Sequence, residues 1–146
     1  ERARRIGAVY NPFRKTLAAT LDSRPETPVL ITVHSFTPVY FGKFREVEIG
    51  VIHHKDDSLA KAIVRIGTAI AHWKFAVNEP YSQADGVTHT LEAHGTANGL
   101  INAMIEVRND LIETPEQQQE VAEILGSIIA AGLTELRQDT DAGQRS

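Results

Sequence analysis

The sequence predicts an α/β fold: a mostly parallel or mixed sheet with helices on both faces. Three observations carry that prediction. Short apolar, β-branched runs ("VLITVH", "VEIGVIHH", "LINAMIEVR") are separated by segments whose apolar residues recur at helical spacing. The runs are nearly continuous, as strands buried on both faces tend to be. Strand–helix–strand order then calls for right-handed crossovers and a largely parallel sheet.

Each element has its own signal. Asn11-Pro12 predicts a helix start, a capping side chain followed by proline, with Phe13, Leu17 and Leu21 as its apolar stripe and "DSRPETP" as its stop. "VLITVH" is the first strand, and the turn-rich Ser35 to Gly42 follows it. "VEIGVIHH" is the second. "DDSLAKAIVRIGTAIAHW" predicts an amphipathic helix capped by Asp57 or Ser58, burying Leu59, Ile63, Ile66 and Ile70. "KFAVNEPYS" reads as a short strand entering a turn, and "GVTHTLEAHGTANG" as a helix closed at Asn98-Gly99. "LINAMIEVR" is the last strand. A long helix is expected from Thr114-Pro115 to about Arg137, with 138–146 as a polar tail. Only three or four strands serve this many helices, which leaves an unpaired sheet edge, so further strands outside these residues are expected.

With 146 residues the chain is read as one α/β domain over 1–146 with a single core. Net charge of −4 argues against nucleic acid or an anionic membrane as partner. The absence of cysteine excludes disulfides, thiolate metal sites and a cysteine nucleophile. No apolar run approaches the roughly 20 residues that cross a bilayer. The expected location is the cytoplasm, and the oligomeric state is open.

Ligands bind beyond the carboxyl ends of strands in open α/β sheets. Three polar clusters fall at such ends: His34-Ser35, Asn78 to Ser82, and Glu106 to Asp110. Together they offer an imidazole, carboxylates, an arginine and a phenol, a set suited to metal-assisted hydrolysis. By position alone, His34 also fits a surface residue, and Glu106 fits a structural ion pair with Arg45 or Arg108. The pair His53-His54 points to opposite faces of a strand and does not chelate one ion. His89 and His94 are spaced off a shared helical face, and His72-Trp73 reads as a helix end with a packed indole.

The strings "HSFTPVYFGKFREVEIGV", "NEPYS", "HTLEAHG" and "IEVRNDLI", in this order and preceded by "YNPFRKTLAATLD", resemble the N-formylglutamate amidohydrolase family. The resemblance reaches to about Leu136 and covers the later part of that family's domain. It implies a zinc-exopeptidase-like (phosphorylase/hydrolase-like) fold whose N-terminal part, with the other metal ligands, lies outside these residues. It further implies His34 as a metal ligand, Zn2+ as the cofactor and Glu106 as the catalytic general base. Arg108 and Arg45 become holders of substrate carboxylates, and Tyr81 a pocket residue. The implied reaction cleaves the amide of N-formylglutamate or a related N-acyl amino acid, a small-molecule partner. These residues alone are expected to bind metal weakly and to be inactive. Two alternatives stay open: a non-catalytic α/β binding or oligomerisation module, and an exopeptidase or deacylase acting on another N-acyl substrate.

Overall fold

A computed structural model describes residues 1–143 of the chain. It opens on a continuous helical run: α1 (Arg2–Arg5), a π-helical turn (Ile6–Tyr10) and α2 (Asn11–Asp22). The predicted start at Asn11 is therefore an interior position, and Tyr10 before it is itself helical. Pro12 lacks the N–H that an α-helix needs at that point, and the wider turn just ahead of it accommodates the missing donor.

The main sheet has four strands in the order β1 (Leu30–Phe36), β6 (Asn102–Arg108), β4 (Ile49–Ile52), β5 (Phe75–Val77). β1 runs parallel to β6, β4 antiparallel to β6, and β5 parallel to β4. The sheet is thus mixed. Between β1 and β4 the turn-rich segment forms a small hairpin, β2 (Val39–Tyr40) and β3 (Lys43–Phe44), turned by Phe41 and Gly42 at positive φ.

Helices α3 (Ser58–Ile70) and α4 (Pro115–Gly143) pack on one face of the sheet. Alternation along the strands sends Ile49, Val51, Ile105 and Val107 to that face, where they meet Leu59 and Ile63 of α3 and Val121, Leu125 and Ile128 of α4. At the start of α3 the Asp56 carboxylate accepts from the Ser58 N–H, and Asp57, in the cap position, pairs with Lys61 one turn on. The opposite face is covered by short π- and 3-10 turns between Gln83 and Asn98, which replace the single helix expected there. Its small core gathers Ile52, Leu91 and Met104, with Tyr81 and Val87 packed against them.

Further sequence expectations change: Ile70, expected on the buried face of α3, is 66% exposed. Helix α4 continues past Arg137 to Gly143, so the expected polar tail is helical as far as it is described, and 144–146 lie outside the described residues. β1 is not buried on both faces: Val33, His34 and Ser35 are exposed, because among the described residues no strand pairs with its outer edge. Among the same residues no helix is long and apolar enough to cross a membrane.

Candidate active site

The parallel register of β1 and β6 decides the geometry of the site. His34 lies directly opposite Glu106, and Phe36 opposite Arg108. Residues paired in this way project from the same face of a sheet. The imidazole and the carboxylate therefore share the face away from α3 and α4, at the rim where both strands finish. On its other flank Glu106 is opposite Gly50 of β4.

Glu106 is buried at 4% exposure, and its Oε2 has no hydrogen-bond partner among the described residues. Burial pushes its pKa above the ordinary carboxylate value, against the pull of the neighbouring His34 and Arg45 charges. A dry carboxyl held near an imidazole and a guanidinium suits proton transfer.

Gly50 marks a close approach that the sequence analysis did not pick out. A Cβ at this position would sit 1.8 Å from the Glu79 carbonyl oxygen and 3.3 Å from the Glu106 Cβ. The Asn78–Ser82 segment thus crosses directly over β4 beside the carboxylate. Glycine inside a strand run is the signal that points to such a crossing. The segment is pinned at its start, where the left-handed Asn78 accepts the His53 backbone N–H at 3.2 Å and meets the His53 ring at 2.9 Å. It is pinned again at Ser82, whose N–H donates to Asp85 at 2.8 Å. His53 and His54 indeed separate: His54 is buried beside Thr96, and His53 serves Asn78.

The two arginines have different surroundings. Arg108 is buried, and its Nε and Nη2 make a bidentate pair with Asp110 at 2.8 and 3.0 Å. Nη2 also reaches Glu48 at 3.0 Å, and Nη1 donates to the Arg45 carbonyl at 3.1 Å. These carboxylates raise its pKa further. Its donors are thus spent on Asp110 and on the chain just after the β2–β3 hairpin. Arg45 is half-buried with its guanidinium 4.4 Å from the Tyr40 ring centre and 5.0 Å from that of Tyr81. Its Nη1 donates to the Tyr81 hydroxyl at 3.1 Å and the Thr37 carbonyl at 3.3 Å, and it has no carboxylate partner among the described residues. Tyr81 thereby joins the 78–82 segment to the hairpin.

The remaining histidines stand apart. His89 hydrogen-bonds the Tyr10 hydroxyl at 2.7 Å, and burial lowers the pKa of His94. No group of three histidine or acidic side chains among the described residues can hold a metal ion.

No curated protein matches the chain significantly. A solved structure, the crystal structure of gene product Atu2144 from Agrobacterium tumefaciens, is 40% identical and superposes with a TM-score of 0.86. The match covers 93% of this chain and 55% of that one, so the chain spans about half the length of its structural relative. A sequence model for N-formylglutamate amidohydrolase matches residues 1–113. The chain belongs to the N-formylglutamate amidohydrolase family.

Proposed function

We propose that this chain carries the general base and the substrate-carboxylate site of a hydrolase acting on the amide bond of N-formylglutamate or a related N-acyl amino acid. One observation carries the reading: a buried carboxyl at Glu106, without a partner at Oε2, opposite His34 on the same face of the sheet.

In the proposed reaction the Glu106 carboxylate takes a proton from the attacking water as the water oxygen bonds to the acyl carbon. The amide C–N bond then breaks, and the same proton passes to the leaving nitrogen. With a formyl substrate the products are formate and the free amino acid. Arg45, its guanidinium near the Tyr40 and Tyr81 rings, presents its planar fork to a substrate carboxylate. Arg108, occupied by Asp110 and Glu48, serves the substrate indirectly by fixing the chain that carries Arg45.

His34 is proposed as one donor to a divalent ion, zinc by family resemblance, an ion that acidifies bound water. The described residues do not fit a complete metal centre, since His34 is a single donor and no three-ligand group occurs among them. No step above is therefore routed through the ion. The small-molecule substrate and a cytoplasmic setting are part of the same proposal.

The test is turnover of N-formylglutamate by the full-length protein, measured beside its metal content. Glu106→Gln is expected to lower kcat by a factor of about 100 or more. His34→Ala is expected to lower metal content together with activity. Turnover that survives Glu106→Gln would sink the assignment of the base. Absence of both metal and hydrolysis across N-formyl and N-acyl amino acids would point instead to a non-catalytic module.

A further inference from the structure

Residues 79–81 form one wall of a cavity of about 620 Å³ whose other wall is the β2–β3 hairpin. The Glu79 carbonyl closes over Gly50 beside the Glu106 side chain, and the Tyr81 hydroxyl accepts from Arg45. Whatever fixes the start of this segment therefore fixes both the packing beside Glu106 and the placement of Arg45.

That start is Asn78, where β5 has ended and the chain turns across β4. Its φ of 55° lies in the left-handed region, which a residue with a side chain keeps where its surroundings hold it there. Three contacts hold Asn78. Its N–H donates to the Val51 carbonyl at 3.0 Å, and His53 takes both ends of its side-chain amide. A backbone N–H can only donate, so the amide oxygen accepts the His53 N–H at 3.2 Å. The amide nitrogen is then the atom that faces the ring Nε2 at 2.9 Å. An amide nitrogen donates and does not accept, so Nε2 is the bare nitrogen of a neutral ring and the proton sits on Nδ1. Nδ1 is buried without a hydrogen-bond partner among the described residues. The polar reach of this ring is thus directed at Asn78.

Within the amidohydrolase reading, on which this rests, we propose that His53 is a positioning residue. Its bare Nε2, by accepting from the Asn78 amide, keeps Asn78 left-handed and so holds residues 79–81 against the flank of Glu106 and beside Arg45. His53 acts through that segment and does not touch the reacting atoms.

The experiment places an acceptor at different reaches in the full-length protein. A glutamine side chain brings its amide oxygen to about the position of Nε2, and an asparagine side chain ends near that of Nδ1. Turnover of N-formylglutamate is measured beside amide hydrogen exchange of the peptide spanning 77–82. His53→Leu is expected to lower kcat about tenfold, the effect of leaving one buried donor unpaired, and to speed exchange in that peptide while β1 and β6 stay protected. His53→Gln is expected to restore most of both, and His53→Asn neither. A merely structural role would give losses that follow side-chain size and exchange that rises throughout the sheet. Unaltered turnover in His53→Leu, or a glutamine variant no better than the asparagine one, overturns the assignment. If the full-length protein hydrolyses nothing, the catalytic reading falls and exchange alone decides. Protection that returns with glutamine and not with asparagine then sustains the hold of His53 on the segment, and protection indifferent to His53 ends it.

Discussion

Val33 and Ile105 face one another across the β1–β6 ladder, and both point to the side of the sheet that α3 and α4 cover. One is 67% exposed and the other 0%. Both are β-branched residues in apolar runs, so composition does not separate them. Position does: among the described residues β6 has a strand on each side, and β1 has one. The candidate site straddles this contrast. Its carboxylate stands on the closed strand, where burial raises its pKa, and its imidazole stands on the open one, accessible at the rim. On the proposed function, the group that needs dryness stands where packing is finished, and the candidate ligand stands at the exposed rim.

Substitutions at either strand sharpen that contrast. Ile105→Ala should be the costliest, about 4 kcal/mol by chemical denaturation, because it opens a cavity between the sheet and two helices. A loss below about 1 kcal/mol there would mean that the centre is not the closed region described. Arg108→Leu should cost about 3 kcal/mol, since it leaves Glu48 and Asp110 facing a vanished charge near the hairpin root. The same variant should weaken substrate binding by letting Arg45 drift. A fall in stability with substrate affinity intact would detach Arg108 from the pocket. Val33→Ala should change stability by no more than about 0.5 kcal/mol. A loss several times larger in the full-length protein would show that the outer edge of β1 is covered there, and the contrast would then belong to these residues in isolation.

The fold class was legible because apolar runs and helical spacing are local signals. The burial of β1 was not, because "VLITVH" reads the same whether or not a second neighbour lies beside it, and that neighbour is a non-local fact. Pro12 misled in a similar way: it commonly opens a helix, but a π-helical turn lets one pass through it. His34 and Glu106 stood out through their strings, and the register supplied what strings cannot, namely that the two face each other. The family resemblance gave Arg45 and Arg108 the same role. The acid two residues after Arg108 was a readable hint of its pairing, whereas the Glu48 contact is made across the sheet. Gly50 went unnoticed because it belongs to no recognised chemical cluster, and its importance depends on a segment distant in the chain.

The antiparallel sense of β4 has a consequence for how the pocket can vary. Because β4 runs against β6, its first residue, Ile49, lies opposite Val107, and the chain enters the sheet at the end where β1 and β6 leave it. The hairpin wall is therefore a detour at a single margin, fastened where the Arg108 N–H donates to the Glu48 carbonyl at 2.9 Å. Residues can be inserted at its tip, around Phe41 and Gly42, without shifting the alignment of either strand that bears the imidazole or the carboxylate. On the proposed function, such a scaffold exchanges one substrate preference for another while the candidate imidazole and carboxylate stay in place.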